Sequence, residues 1–178
     1  MGQILAGQHQ GVYLLRFEGD VRLTLCAAAD HYLKTMFDDP GFKTVMIDLS
    51  AAAGIDSTSL GLLAKLSIRA QTEFGFLPTL VCSSPDLLRL LGSMGFDDVF
   101  HILESAPQNP AELGALPELK IPEDALRAQV LDAHRVLMDL NDSNRTRFQD
   151  LVTALEAEEP LAAPDTASAA TPAHRASQ

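Results

Sequence analysis

The sequence predicts an α/β fold, a mostly parallel mixed sheet flanked by helices, with a helical hairpin appended at the C-terminal end. Three observations carry this prediction. Through residues 10–105, short β-branched and aliphatic runs alternate with amphipathic stretches of helical length. Glycine, proline and hydroxyl residues punctuate each change of pattern. Beyond a proline-rich interval, two further helical patterns follow with no strand between them.

The first run, "QGVYLLRFEG" (10–19), is rich in β-formers and alternates only in part, as a strand with one well-buried face does. In "LTLCAAADHYLKTMFDD" (23–39), Leu25, Ala28, Ala29, Tyr32, Leu33 and Met36 recur at helical spacing, and Pro40-Gly41 ends the pattern. "TVMIDL" (44–49) suits a strand buried on both faces. Leu60, Leu62 or Leu66, Leu63 and Ala70 then form a helical stripe that Gly75 closes. "LPTLVCS" (77–83) reads as a strand. Ser84 is placed to cap a helix that begins at Pro85 and stops by Gly95. "DVFHIL" (98–103) is the last short strand.

The domain is expected to span 1–105, with a linker over 106–122. A helical extension then covers 123–159, built from 123–140 and 145–159 around an Asn-Asp-Ser-Asn turn in which Ser143 or Asn144 would cap. Its apolar stripes are Leu126, Val130, Ala133 and Leu137, then Phe148, Leu151, Val152 and Leu155. The extension is read either as packing on the domain or as a docking arm. Residues 160–178, rich in Ala, Pro, Ser and Thr, are expected to be disordered.

Charge and composition exclude several function classes. A net charge of −11 is the wrong sign for a nucleic-acid surface, so protein partners are expected. No apolar run is long enough for a membrane span, and no secretion signal is read at the N-terminus. Cys26 and Cys82 form no CxxC pair and read as buried thiols of a cytoplasmic protein. The five histidines fall in five separate segments, without metal-ligand spacing, so no metal or cofactor is expected. "STSLG" lacks the first glycine of a nucleophile elbow, and "GLLAK" is no phosphate-binding loop. The sequence predicts no enzyme.

One short segment resists an ordinary reading. "GIDSTSLG" (54–61) interrupts two apolar stretches with an acid and three hydroxyls. Asp56, Ser57 and Thr58 all favour helix N-termini, yet one cap needs only one of them. A serine in the first helical turn is expected to be exposed, where a phosphate would meet free N–H groups and the positive end of the helix dipole.

"VMIDLSAAAGIDSTSLGLLAKL", followed by "LVCSSPDLLRLLGSMGFDDVFHI", resembles the STAS domain of bacterial anti-sigma factor antagonists over about residues 10–104. The shared features are a buried strand ending in Asp-Leu, an Asp-Ser-(Ser/Thr)-x-Leu-Gly loop opening a helix, and the later Ser-Pro segment. The linker and tail, with "LMDLNDSNRTRFQDLVTALE", are similar to the pseudomonad-type antagonists of a secretion, biofilm and flagellar switch.

The resemblance implies that Ser57 is phosphorylated by an anti-sigma factor or related serine kinase of the histidine-kinase-like ATPase superfamily. A PP2C-type phosphatase, carried within a response regulator, would restore it. The unmodified form would bind an anti-sigma factor and free the sigma factor; the resemblance to the flagellar switch implies a flagellar anti-sigma factor as that target. Asp56, Ser57, Thr58 and Gly61 match the family loop and, with Ser59, are the implied partner-binding residues. Lys65 and Arg69, further along the helix, read either as a solvated face or as contacts for an acidic partner. Ser59 stands where many members have glycine, and Arg22 where many have aspartate. A STAS accessory subunit of a membrane lipid transporter, without phosphoswitching, is the main alternative, and a hydrolase using Ser57 a remote one.

Overall fold

The computed structural model describes residues 1–158. The expected disorder of 160–178 therefore concerns residues outside those described. The strands are β1 (Gln3–His9), β2 (Val12–Val21), β3 (Thr44–Asp48), β4 (Ala52–Ile55), β5 (Thr79–Val81), β6 (His101–Leu103) and β7 (Gly114–Ala115). The helices are α1 (Cys26–Asp38), α2 (Ser57–Arg69), α3 (Pro85–Ser93), α4 (Glu123–Leu140) and α5 (Asp142–Ala157). No helix among the described residues is long and apolar enough to cross a membrane.

The seven strands make one sheet in the order β6-β5-β3-β2-β1-β7, with β4 also paired to β2. The pairings β2–β3, β3–β5, β5–β6 and β2–β4 are parallel, whereas β1 runs antiparallel to β2 and β7. This is the mixed, mostly parallel sheet the sequence predicts. β2 organises it: residues 12–16 pair with β3, and residues 19–21 pair with β4 after a register shift at Gly19. That shift lets β4 deliver the chain to the start of α2.

Local signals explain most boundaries. Ser84 accepts a hydrogen bond from the Leu87 amide, and Pro85 occupies the first turn of α3, where its missing N–H costs nothing. Gly75, at φ +75°, ends the α2 segment after a single π-type turn over Ala70–Phe74. Several expected boundaries need correction, among them the last strand, read over 98–103, which is a 3-10 turn over Phe96–Asp98 followed by β6 at His101–Leu103. The helix read from 23 begins as a 3-10 turn over Leu23–Leu25, and α1 proper starts at Cys26. Asn141, not Ser143 or Asn144, caps α5 by accepting from the Asn144 amide. Asn144 is instead buried, donating from Nδ2 to the carbonyls of Met94 and Leu137 at 2.8 and 2.9 Å.

The main core is an apolar cluster that joins Leu15, Ile47, Leu49, Leu60, Leu63, Leu80 and Leu91 and reaches Leu137 and Phe148 of the C-terminal helices, while a smaller, separate cluster holds Leu14, Met46 and Val81. Thus α4 and α5 share the domain's own core. α2 carries apolar residues almost all round, as a helix covered on two sides must. Leu60, Leu63 and Ala64 are buried, and α4 lies across the α2 face that carries Gly61.

Candidate functional site

The hydroxyl-rich segment forms the junction of β4 and α2. The Asp56 amide bonds to the carbonyl of Val21, which fixes the end of β4 beside β2. The Asp56 carboxylate then serves two elements. Its Oδ1 accepts from the Ser59 amide at 2.8 Å and caps α2, and its Oδ2 accepts from the Leu23 amide at 2.7 Å. One acid thus ties the start of α2 to the turn before α1, in the manner of an N-cap with a second anchorage. Ser57 is left as the first residue of the helix with its hydroxyl free for other contacts.

That hydroxyl meets a histidine. Ser57 Oγ lies 2.8 Å from Nε2 of His134 on α4, and Nδ1 of the same ring lies 2.6 Å from the Val130 carbonyl oxygen. A carbonyl can only accept, so Nδ1 carries the hydrogen, and in the neutral ring Nε2 accepts from the Ser57 hydroxyl. The His134 ring is 2% exposed and stands edge-on to Phe148, with ring centroids 5.1 Å apart. The serine expected to be open to solvent is therefore half-buried, because α4 folds back over the first turn of α2. It is covered by the extension rather than sunk in the core beneath the sheet.

The other expected site residues are placed as follows. Thr58 and Ser59 are buried, and the Ser59 hydroxyl is 3.5 Å from the Cys26 sulfur. Gly61 faces the backbone of α4, so that a Cβ there would come within 2.3 Å of the Ala133 carbonyl oxygen. Lys65 Nζ pairs with Asp132 of α4 at 2.6 Å, both groups half-exposed. Arg69 pairs with Glu73 and lies over the Phe37 ring. Arg22 bonds to Asp20 at 2.8 Å. Asp56, Ser57, Gly61 and Lys65 are thus drawn along one helix, three of them against or beside α4.

Burial pushes the Cys26 thiol up to about 11; the nearby Asp56 and Asp30 charges add to the rise and the contact with Ser59 opposes it. Cys26 and Cys82 are both free and buried, so Cys26 is a packing group with little thiolate character.

His134 was the residue that sequence reasoning missed: no base had been read within reach of Ser57. A signal existed, since His134 lies three residues from both Leu131 and Leu137 on the buried side of α4. A polar ring in such a stripe needs a buried partner. The identity of that partner depends on how α4 crosses α2. The pair does not complete a hydrolytic constellation, because Nδ1 is oriented by a backbone carbonyl and the Ser57 hydroxyl faces into a helix contact.

The sequence profile of the STAS domain matches residues 3–108. The chain belongs to the STAS domain family. The STAS match spans β1 to β6 and the whole of the Ser57 loop, and it stops short of α4 and α5. Among solved structures, an anti-sigma factor antagonist from Mycobacterium paratuberculosis is similar to the chain, with a TM-score of 0.51 and 24% identity over 59% of this chain and 87% of that one. At this identity the likeness speaks to the STAS fold. No curated protein matches the sequence.

Proposed function

We propose that the chain is an anti-sigma factor antagonist that acts as a phosphorylation-controlled partner switch. In the unmodified form it binds an anti-sigma factor and frees the sigma factor; phosphorylation of Ser57 abolishes that binding. The observation that carries this reading is the division of labour at the α2 start. Asp56 supplies the cap, so the Ser57 hydroxyl is not needed for the helix. It sits at the edge of the STAS unit, where it can be modified without unfolding the sheet. Membership of the STAS family and the fold shared with an anti-sigma factor antagonist support the same reading.

The magnitudes favour a change of surface over a change of fold. Phosphoserine adds about −1.5 to −2 charge. Here it would enter a chain already at −11, next to Asp56. A partner covering Ser57 would bury that charge, at a cost of about 3–4 kcal/mol, or some two to three orders of magnitude in affinity. The helix dipole returns only about 0.3–1 kcal/mol. Loss of binding therefore wins.

Within this reading, a serine kinase of the histidine-kinase-like ATPase superfamily adds the phosphate, and a PP2C-type phosphatase within a response regulator removes it. A flagellar anti-sigma factor is the target this reading proposes, on the resemblance of the segment from Leu137 to Glu156. The free thiols fit a cytoplasmic setting. Phosphosite mass spectrometry on protein from its own cells, with pull-downs of both forms, tests the reading. Phosphate on Ser57 and capture of an anti-sigma factor by the unmodified form alone are expected. Copurification with the ATPase subunit of a lipid transporter, with Ser57 never modified, would overturn it.

A further inference from the structure

We propose that α4 is an intramolecular cover latched over Ser57 by His134, so that Ser57 is reached only from a form in which α4 has left α2. The proposal rests on the reading of Ser57 as the regulated residue and concerns the regulation of that same site.

Four observations carry it. First, the Ser57 hydroxyl already spends its hydrogen on the buried His134 ring at 2.8 Å, and Nδ1 of that ring is held in turn by the Val130 carbonyl. A phosphate on Ser57 would replace that hydrogen and so end this contact as it stands. Second, α2 and α4 approach until backbone meets backbone at Gly61 and Ala133. No partner segment fits between them, so α4 and any partner of this face of α2 exclude one another.

Third, the seam is less complete than the contact between α2 and the core. Gln129 Oε1 is buried without a hydrogen-bond partner among the described residues, and Gln129 lines a cavity of about 30 Å³ with Cys26, Thr58 and Lys65. The sheet side of α2, by contrast, is filled by Leu60 and Leu63. A buried polar atom without a partner lowers the stability of the contact that encloses it. Fourth, the chain from Glu104 to Pro122 that precedes α4 is hydrogen-bonded to the sheet only at the edge strand β1, through the two-residue strand β7 and the Leu116 amide on the Ile4 carbonyl, with Leu113 and Leu116 packed against the apolar clusters. α4 can leave α2 without breaking the pairing of β2 with β3.

Leu137 and Phe148 lie in the core cluster, so the closed form dominates. A ligand that needs the open form then binds with its intrinsic affinity reduced by the open fraction. Loosening α4 should consequently raise apparent affinity for any partner of Ser57.

The test uses the full chain carrying Ser57→Cys, alkylated with iodoacetamide and read peptide by peptide, with Cys26 and Cys82 as internal references. Ala133→Arg, which keeps helix propensity but drives a long cation into the Gly61 contact, is compared with His134→Ala, which removes only the latch. The introduced thiol should react at least tenfold more slowly than in the denatured chain. Ala133→Arg should accelerate it at least tenfold and His134→Ala severalfold, with amide exchange in β2 and β3 unchanged. If Ala133→Arg disturbs those strands, His134→Ala decides. A thiol that reacts at the denatured rate in the parent chain, or whose rate stays level or falls in His134→Ala, overturns the cover. A second arm titrates an anti-sigma factor with the parent Ser57 chain and with Ala133→Arg alone. Tighter binding by Ala133→Arg supports both readings. A cover established by the thiol arm, with no binding by either chain, sustains the cover and defeats the proposed function.

Discussion

Replacing Gly61 with alanine measures how closely α4 is held to α2. The added Cβ would lie 2.3 Å from the Ala133 carbonyl oxygen and 2.6 Å from both the carbonyl carbon and Cβ of that residue. Ordinary contact begins at 3.4 Å, so the helices must part by about 1 Å. Two helix backbones cannot relieve this by changing a rotamer. If they stay together, overpacking costs about 1–3 kcal/mol. If they part, the 2.8 Å bond between Ser57 and His134 stretches beyond hydrogen-bonding range, and an unsatisfied buried ring nitrogen costs about 1–3 kcal/mol. Alanine returns about 1 kcal/mol of helix propensity. The net expectation is a loss of up to about 2 kcal/mol, seen as a melting temperature lower by up to about 8 °C. Thermal unfolding combined with amide exchange should place the loss in α4. A Gly61→Ala protein that melts higher, with α4 fully protected, would refute the close packing on which the site description depends.

Leu137→Ala empties a fully buried position where α4 meets the core; urea unfolding should show a loss of about 2–5 kcal/mol, and a loss below 1 kcal/mol would mean that the hairpin is not part of the core. Cys26, with its thiol held near 11, should resist thiol reagents at pH 8 in the native protein and react on unfolding; rapid stoichiometric labelling of native protein would contradict its burial. Asp48 gives a pH signature. Burial works to raise its carboxyl, but hydrogen bonds from Ser50 and Arg16 outweigh that and leave it below the ordinary range. A lowered folded-state value means stability that is present above about pH 4 and drains away as pH falls through the folded value. Asp48→Asn should flatten that part of the acid-unfolding curve, and an unchanged slope would count against the assignment.

How far the sequence could be read varies from element to element. Where local chemistry decides, it was legible: Ser84-Pro85 starts α3, Gly75 ends the α2 segment, and the valine and isoleucine of "TVMID" make the buried strand β3. β1 was missed because glycine and glutamine dilute it, although Ile4 and Ala6 are buried in alternation. β4 and β7 are too short to carry a period of their own and exist through pairing with β2 and β1. Asp56 was legible as one of three cap candidates, but its second bond to Leu23 joins residues 33 apart and leaves no mark on the sequence. The same holds for Ser57 and His134, 77 residues apart. The near-continuous apolar surface of "LGLLAKL" does signal a second cover over α2; in α4, Ala133 and Leu137 of the expected stripe are buried together with Leu131 and His134, whereas Leu126 and Val130 are only partly buried. Leu151, assigned to the stripe of α5, is exposed.

The most direct measurement is a calorimetric titration of one anti-sigma factor with two full-length proteins, identical except for a phosphate on Ser57. A fall in affinity of at least a hundredfold on phosphorylation, with the sheet amides unshifted, is the predicted result. Equal affinities would contradict the claim that this one hydroxyl governs partner choice.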